Sequence, residues 1–492
     1  MDESSEHGGD VFAERRAKLA AWRDAGDAYP TQYQPRDEIG PLHDAYSGLE
    51  AGGDSGDVRR IAGRVMARRE HGKLTFVVLK DASGELQLFA QLDALGEARY
   101  AALEHVDLGD FVGAEGTVMR TRRGELSLRV ASWQLLAKSL RPMPEKFHGL
   151  TDVETRYRRR YLDLMVNDDS REVFVKRARI VRAIREFLDR RGFVEVETPV
   201  LQPLYGGALA RPFITHHNEL ERDLYLRIAT ELYLKRCIIG GLDRVYEMGK
   251  DFRNEGVSFK HNPEFTMLET YEAYVDYNHV MDMVEQMIAE AARAVGDLQV
   301  TFRDHDIDLT PPWPRLTMRK AIENETGIDI GEIRDVPALH AAIKDHGFDG
   351  VAPAPTWGLQ VDELFSAMVE PKLIQPVFIT EHPLETSPFA KKTPHDPRFV
   401  ERFEGFIAGM ELSNAFSELN DPDDQRARFM QQMQDLADGD ETAHRLDEDF
   451  LEAMEHGMPP TGGMGMGIDR IVMILTGAPS IRDVVLFPAL RG

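Results

Sequence analysis

Apolar and polar residues alternate in five short segments between Val58 and Leu140, a pattern typical of β-strands with one buried face. Leu86, Gln87 and Leu88 show this alternation plainly. A helix-like stretch, ALGEARYAALEHV, separates the third segment from the fourth. Five strands interrupted by one helix favour an OB barrel, a frequent binder of oligonucleotides, and a small barrel with only a packing role is the alternative.

Helical spacing replaces this alternation further along the chain. In the basic stretch from Arg171 to Arg191, the apolar residues at helical spacing are Val173, Ile180, Ile184, Phe187 and Leu188. They predict an amphipathic helix with arginines on its outer face, and an ordinary solvated charged face is the alternative. A second long helix is predicted from Val275 to Val295.

Two loop-like stretches divide the chain into three predicted parts. GLEAGGDSGD, at residues 48–57, and RPMPEKFHGL, at residues 141–150, are rich in glycine, acids or proline. We therefore expect an N-terminal extension over residues 1–57, with a charged helix from Phe12 to Ala25, and a barrel domain over residues 58–145. A larger domain should follow over residues 146–492, with a helical insertion at about residues 300–375.

Charge and cysteine content narrow the class of protein. The 492 residues include 84 acidic and 59 basic side chains, and the formal net charge of −25 argues against indiscriminate nucleic-acid binding but allows a local basic patch. One cysteine cannot form an internal disulfide or supply a thiolate zinc cluster. No apolar run approaches the roughly 20 residues of a membrane helix. Because the first residues are acidic and polar, unlike a secretory signal, we expect a cytoplasmic protein.

A polar loop, RNEGVSFKHN, runs from Arg253 to Asn262 between two strand-like segments. The guanidinium group of an arginine is a rigid fork of donors suited to a phosphate. In the second strand, Phe265, Glu269 and Tyr271 share one face, because alternate residues of a strand point the same way. A buried carboxylate on that face would need a cationic partner. An ordinary amphipathic hairpin is the alternative.

A glycine-rich segment, GGMGMGIDRIVMIL, precedes a predicted helix near the C-terminus. A glycine repeat alone is weak evidence for a phosphate loop. The glycines would permit close packing beneath a ligand, with Arg470 at the start of the helix lying over it. A tightly packed strand-to-helix connection with a surface arginine is the alternative.

Acidic residues are concentrated in the segment ERFEGFIAGMELSNAFSELND. Glu404 and Glu411 are an odd number of residues apart, so a single straight strand would place them on opposite faces. They meet only if the chain turns near Gly409. Carboxylates near a phosphate site suggest magnesium, and scattered surface acids are the alternative. Together, the three segments predict arginines for phosphate, carboxylates for a metal ion and surplus carboxylates for a cationic substrate.

Several strings in the chain resemble the signature motifs of class II aminoacyl-tRNA synthetases. These are GFVEVETPVL after the basic helix, FRNE followed by HNPEFTMLE, and GMGMGIDR near the C-terminus. A narrower set, GGALARPFITHHN, IATELYLKR and ELSNAFSELND, is similar to the lysyl-tRNA synthetase family of class II. The resemblance covers the chain from about Val58 to its C-terminus.

The resemblance implies an α+β fold, in which an N-terminal five-stranded OB β-barrel that reads the anticodon precedes a class II catalytic domain with an antiparallel sheet flanked by helices. It implies that ATP and Mg²⁺ activate L-lysine as lysyl-adenylate with release of pyrophosphate. Lysine would then pass to the 3′-terminal adenosine of tRNA(Lys). The resemblance also implies a homodimer through the basic helix, whose apolar face would form half of the interface, and no membrane contact.

The matched strings also assign residues to sites. The residues implied to bind ATP, of which Arg253 and Arg470 are also the catalytic ones, are Arg253, Glu255, His261, Asn262, Phe265, Glu404 and Arg470. Those implied to hold magnesium are Glu404 and Glu411. Those implied to bind lysine, with Glu231 and Glu418 at opposite ends of the substrate, are Gly207, Glu231, Glu269, Tyr271, Asn414 and Glu418. Those implied to read the anticodon, among which Phe76 could equally be a core residue, are Arg69, Phe76, Gln87 and Glu125.

Three alternatives to this interpretation remain. A synthetase for aspartate or asparagine would need a cation or amide-binding groups in place of Glu231, Glu269 and Glu418. A paralogue that modifies a protein lysine would lack the OB barrel. A tRNA-binding protein with an inactive site would have lost Arg253, Arg470 or a metal-binding acid, and all of these are present.

Overall fold

The structure, a computed structural model, describes residues 3–24, 26, 29–144, 150–208, 210–437 and 446–490. Contacts within the chain divide it into two compact units, Met1–Leu150 and Thr151–Gly492. The predicted domain boundary at residues 145 and 146 and the predicted helix end at Ala25 lie outside the described residues. No helix in the described ranges is long and apolar enough to cross a membrane.

The first unit combines N-terminal helices with five strands. Its helices are α1 (Glu3–Asp24), α2 (Ile39–Ala45), α3 (Leu92–Leu95) and α4 (Glu97–Ala101), with a 3₁₀ turn at Ala102–His105. Its strands are β1 (Asp54–His71), β2 (Leu74–Lys80), β3 (Glu85–Gln91), β4 (Phe111–Arg120) and β5 (Leu126–Ala137). The predicted start of α1 at Phe12 is wrong, because the helix begins at Glu3 and includes the Gly8–Gly9 pair despite the low helix propensity of glycine.

The five strands close into a barrel in the order β1-β2-β3-β5-β4. All neighbouring strands are antiparallel except β3 and β5. In β2, Thr75, Val77 and Leu79 are buried inside the barrel while the residues between them are only half-buried, as the alternating pattern requires. Trp22 of α1 packs edge-on against Trp133 at 5.6 Å between ring centroids. The five-stranded OB barrel is therefore confirmed.

The second unit mixes helices and strands along its length. Its helices are α5 (Val153–Arg158), α6 (Arg160–Val166), α7 (Asp168–Arg190), α8 (Glu231–Ile239), α9 (Tyr277–Arg293), α10 (Met318–Thr326), α11 (Val336–Asp345), α12 (Trp357–Met368), α13 (Pro422–Ala437), α14 (Glu448–Glu455), α15 (Ile468–Thr476) and α16 (Ile481–Val484). Its strands are β6 (Val194–Glu195), β7 (Leu201–Gln202), β8 (Ile214–His217), β9 (Arg222–Leu226), β10 (Arg244–Phe252), β11 (Glu264–Ala273), β12 (Gln299–Phe302), β13 (His305–Asp308), β14 (Arg315–Thr317), β15 (Val377–Pro383), β16 (Phe399–Ile407), β17 (Met410–Ser417) and β18 (Thr461–Gly467). Further 3₁₀ turns lie at Asn218–Leu220, Glu370–Lys372 and Leu384–Thr386.

An eight-stranded sheet in the order β14-β15-β16-β17-β18-β11-β10-β6 forms the centre of this unit. Only the two edge pairs, β14 with β15 and β10 with β6, are parallel. Helices α7, α9 and α15 cover one face of the sheet over a core that includes Val284, Leu268 and Ile471. The predicted antiparallel sheet flanked by helices is confirmed, and the opposite face of its central strands carries the polar side chains of the site.

The predicted helical region contains α10, α11 and α12, which have a core of their own around Ile322, Leu339 and Leu364. The hairpin of β12 and β13 also lies in this range, and the prediction did not include it. Strands of four residues give too few alternating positions to be recognised from periodicity.

The apolar face of α7 packs within its own unit, and not against a second subunit as the resemblance implied. Ile180, Ile184 and Phe187 are buried against the helices and sheet of their own unit. Because a face buried inside the unit is not free to cover a second subunit, the expectation that it forms half of a dimer interface is wrong. Val175, on the same helix, remains 40% exposed.

Candidate active site

A cavity of about 440 Å³ opens on the polar face of the large sheet. The site residues predicted from the sequence that line it are Gly207, Glu231, Arg253, Glu255, His261, Asn262, Phe265, Glu269, Tyr271, Glu404, Glu411, Asn414 and Arg470. Glu418 is the exception: its side chain is fully buried and does not line the cavity, although its Oε1 lies against Gly463, which does. Residues separated by up to 263 positions, from Gly207 to Arg470, are thus brought around one space.

Strand register explains why these side chains face the same way. Glu269 of β11 lies opposite Glu247 of β10 and Gly465 of β18, and Tyr271 lies opposite Gly463. Since directly paired residues of neighbouring strands share a face, the alternation predicted for β11 extends across three strands.

Glycine at position 463 makes room for the side chains around it. A Cβ atom there would lie 1.8 Å from Glu418 Oε1 and 2.5 Å from Tyr271 Cε1. Both distances are far below van der Waals contact, so no larger residue fits without displacing the carboxylate and the phenol. The glycine-rich strand β18 is therefore a floor over which acidic and aromatic side chains pack.

Two arginines define one end of the cavity. The guanidinium group of Arg253 lies 5.1 Å from the ring centre of Phe265, and its buried Nε has no hydrogen-bond partner among the described residues. Arg470 donates from Nη1 to the backbone oxygen of Glu411 at 2.5 Å and lies 3.4 Å, through Nη2, from His261 Nε2. Burial and then the nearby Arg470 charge lower the pKa of His261, which favours a neutral imidazole. This end offers cationic donors to an anion.

Glu404 and Glu411 meet through a tight hairpin. Strands β16 and β17 are joined by Ala408 and Gly409, whose φ angles of 53° and 67° are left-handed, as a two-residue turn requires. The turn predicted near Gly409 is therefore present, and it overcomes the opposite parity of the two acids. Desolvation raises the pKa of both carboxyl groups, and the Glu404 charge raises that of Glu411 further.

Acidic side chains line the other end of the cavity. Glu269 Oε1 accepts a hydrogen bond from the backbone N–H of Thr230 at 3.1 Å, and Glu269 Oε2 accepts one from the Tyr271 hydroxyl at 3.2 Å. Burial, followed by the charges of Asp251 and Glu231, raises the pKa of Glu269 to about 8. A buried carboxyl group with a raised pKa lacks a positive charge beside its ionised form. This end of the cavity therefore favours a cationic ligand.

Lys235 is the main residue of this region that the sequence analysis missed. Its fully buried ammonium group lies 2.5 Å from Glu231 Oε1 and 2.5 Å from Glu418 Oε2. The signal in the sequence was its position four residues after Glu231, which places both side chains on one face of α8. Its second partner lies 183 positions away, from 235 to 418, and no local pattern indicates it.

Two further arginines were also missed. Arg227 lies 2.5 Å from Glu247 and 3.1 Å from Asp251, in space that a side chain at Gly249 would fill. Desolvation outweighs these contacts and raises the pKa of Asp251 to about 6.

Arg402 is the second of these arginines. It donates from Nε to Asn414 Oδ1 at 3.0 Å and forms an ion pair with Glu404. Arg402 therefore holds a carboxylate and an amide that line the cavity, whereas the partners of Arg227 are not among its lining residues.

On the barrel, the predicted anticodon residues fall on two neighbouring regions of its outer surface. Arg69 and Phe76 are a directly opposed cross-strand pair, and the Phe76 ring packs edge-on against Phe89 at 5.5 Å. Phe76 is half-buried on the outer face, so it is not a residue of the barrel core. Gln87, also half-buried, donates to Ser127 Oγ at 2.9 Å.

Glu125 is exposed directly before β5. Phe89 is an aromatic neighbour that the sequence analysis did not name.

Comparison with known families agrees with both units. A family model described as tRNA synthetases class II (D, K and N) matches residues 152–491, and an OB-fold nucleic acid binding domain model matches residues 60–136.

Among similar proteins, a lysine–tRNA ligase of Moorella thermoacetica is 53% identical over 484 residues, which is 98% of each chain. Those of Chloroflexus aurantiacus and Dehalococcoides mccartyi are 52% and 55% identical, covering 98% and 88% of each chain.

Proposed function

Because the chain belongs to the class II tRNA synthetases, the family of the aspartate, lysine and asparagine enzymes, we propose that it is the member that joins lysine to tRNA. It is an ATP-dependent aminoacyl-tRNA synthetase that activates lysine and then charges tRNA. The observation that carries the choice of lysine is the buried acidic end of the cavity, where Glu231, Glu269 and Glu418 surround Tyr271. An aspartate or asparagine pocket would require a free cation or amide partner there.

The orientation of the substrates follows from strand β11. Phe265, beside Arg253, marks the nucleotide end, and Tyr271 lies six residues further along, about 20 Å away in an extended strand. The lysine side chain would therefore point towards Tyr271 and Glu418, which would receive its ε-ammonium group. Glu231, whose carboxylate lies beside Gly207, would receive the α-amino group.

The chemistry needs no nucleophile from the protein. In the first step the lysine carboxylate attacks the α-phosphorus of ATP, the bond to the oxygen bridging to the β-phosphate breaks, and pyrophosphate leaves. Arg253 would stabilise the negative charge that develops on the α-phosphate oxygens, and Phe265 and Arg470 would hold the adenine between them. In the second step a hydroxyl of the terminal adenosine of tRNA attacks the lysyl carbonyl, and AMP leaves.

Magnesium is proposed to bind at Glu404 and Glu411, together with phosphate oxygens of ATP. No group of three or more metal-binding side chains is assembled within the described ranges, so the protein alone would not complete the coordination shell. Two facing carboxylates with raised pKa values nevertheless fit a hard cation that takes its remaining ligands from a nucleotide. The ion would supply positive charge to the phosphates, and the two acids would fix its place.

The barrel would read the tRNA. Exposed single-stranded bases stack on aromatic rings and pair through their edges. Phe76 and Phe89 offer rings, while Arg69, Gln87 and Glu125 offer donors and acceptors on the outer surface. We propose that this surface is the anticodon-binding site. We also propose that the protein charges tRNA in the cytoplasm.

A homodimer remains part of the proposal, although through a surface other than the apolar face of α7. Beyond that helix lies a set of exposed apolar side chains: Val194, Val200, Leu201, Leu204, Ile214 and Leu220. Because apolar surface is often covered in protein interfaces, we propose that these six side chains contribute to the interface. Light scattering of the purified chain should give twice the monomer mass of 55.6 kDa.

Exchange of labelled pyrophosphate into ATP, measured with each of the twenty amino acids in turn, tests the proposed function. Lysine should support exchange far better than any other amino acid. Exchange with aspartate or asparagine but not with lysine would show that the cavity selects a different substrate.

A further inference from the structure

Lys235 lies in a cage of four side chains inside the second unit. Its ammonium group contacts one oxygen of Glu231 and one oxygen of Glu418, each at 2.5 Å, and its side chain has no exposed surface. The rings of Phe389 and Phe416 flank it at 4.8 and 5.6 Å from the ammonium nitrogen to the ring centres. An ammonium group with two carboxylates and two aromatic faces is fully coordinated, so it is not available to a ligand.

This arrangement occupies only half of each carboxylate. Glu418 Oε1 is buried, has no hydrogen-bond partner among the described residues and lies over Gly463 beside Tyr271. Glu231 Oε2 lies on the side of Gly207, 3.6 Å from where a Cβ atom of that glycine would stand. Both glycines line the cavity. Each acid therefore keeps one oxygen for the substrate.

The two ion pairs also fix the distance between the acids. Because one nitrogen atom contacts both, Glu231 Oε1 and Glu418 Oε2 are at most 5.0 Å apart, which is twice the ion-pair distance. Without the ammonium group, two buried carboxylates this close would repel each other and separate or take up a proton.

We propose that Lys235 is a positioning residue for amino-acid selection, which pins one oxygen of Glu231 and one of Glu418 so that their other oxygens hold the two ammonium groups of a diamino acid at a set separation. This inference rests on the proposed function and deepens it. The ammonium group of Lys235 is already paired with two acids, so it does not attract an acidic substrate. The spacing of the two free oxygens selects the length of a basic one.

The matched control for this residue lies in the barrel. Lys138 is also fully buried, and its ammonium group contacts two acids, Asp110 at 2.7 Å and Asp107. Removing Lys138 leaves the fully buried Asp110 without its cation and takes one of two lysines from the partly exposed Asp107, so a loss of stability is expected there too. Only Lys235 pairs with a carboxylate that lines the cavity, that of Glu231.

The test compares Lys235→Met and Lys235→Gln with Lys138→Met in pyrophosphate exchange, after thermal melting has shown that each variant is folded. For both Lys235 variants, KM for lysine should rise about tenfold or more while KM for ATP changes less than about twofold. The preference for lysine over ornithine, measured as the ratio of their kcat/KM values, should fall. Lys138→Met should melt at a lower temperature and keep both KM values.

An unchanged KM for lysine in a folded Lys235 variant would overturn the proposal, and so would equal rises in KM for lysine and ATP, since these indicate a general structural role. If neither variant folds, the unsubstituted protein carries the test. A fixed separation requires ornithine, one methylene shorter, to inhibit lysine-dependent exchange with an inhibition constant about tenfold or more above the KM for lysine. Equal binding of the two would refute the set separation, whereas absence of exchange with lysine would refute the proposed function instead.

Discussion

Glu269, a buried carboxyl group proposed to bind the substrate, should make lysine binding depend on pH. Its pKa is raised to about 8, chiefly by burial, so the group is largely protonated in the empty cavity at neutral pH. An arriving ammonium group stabilises the ionised form, so binding of lysine must release this proton. Affinity should therefore increase with pH up to the pKa of the empty site and level off above it.

KM for lysine should accordingly fall as the pH rises from about 6.5 to about 8, approaching tenfold per unit at the lower end. The ε-ammonium group of lysine stays charged over this range, and Asp251, with a pKa of about 6, titrates below it. The measurement is pyrophosphate exchange at saturating ATP. In Glu269→Gln, KM for lysine should be higher and should depend less on pH, while KM for ATP changes little. A flat profile in the unsubstituted protein would mean that Glu269 is already ionised without substrate.

At the nucleotide end, Arg253 makes a different prediction, because it would act on charge that develops during the reaction. Replacement by alanine removes the buried guanidinium group beside Phe265 and should reduce pyrophosphate exchange about 100-fold or more. Binding of tRNA, measured separately by filter retention, should remain nearly unchanged. Arg319→Ala is the control, since this arginine pairs with Asp329 outside the cavity and its loss should leave exchange intact. A modest loss of exchange in Arg253→Ala would argue against its contact with the α-phosphate.

Strand β18 contributes to the site through its glycines, which leave room for the side chains packed against them. Gly463→Ala would place a methyl group against Glu418 and Tyr271, so one or both must move. KM for lysine should rise about tenfold, with less change in KM for ATP, because the methyl group lies at the acidic end of the cavity. Gly296→Ala is the matched control, since no atom lies within 4 Å of the added Cβ. Equal KM values for Gly463→Ala and the unsubstituted protein would show that Glu418 and Tyr271 can move aside without weakening lysine binding.

The elements also show what the sequence can and cannot predict. Period-two alternation placed Phe265, Glu269 and Tyr271 on one face, and the turn residue Gly409 brought Glu404 to Glu411, because both features depend on local backbone geometry. The pairing of β11 with β18 joins segments about 200 residues apart, and no local pattern specifies it. For the same reason the contact of Lys235 with Glu418 was not predicted.

At the scale of the whole molecule, the negative net charge disfavours the approach of tRNA, the proposed partner. A chain with a charge of −25 repels a polyanion such as tRNA at long range. Binding must then rely on local contacts, and we propose that the aromatic pair of Phe76 and Phe89 beside Arg69 provides some of them on the barrel. The cavity proposed for lysine activation, in contrast, is lined by residues of the second unit.

This division of labour predicts that the two partial reactions can be separated by one substitution. Phe76→Ala removes a stacking ring from the barrel surface, so KM for tRNA in lysine transfer should rise about tenfold while pyrophosphate exchange without tRNA is unchanged. Val58→Ala is the control, because this exposed apolar residue lies near the far end of β1 from Arg69 and should affect neither reaction. Loss of exchange in Phe76→Ala would mean that the barrel supports the catalytic unit rather than reading tRNA. Unchanged transfer would place the anticodon elsewhere, because a ring in contact with a base cannot be removed without weakening that contact.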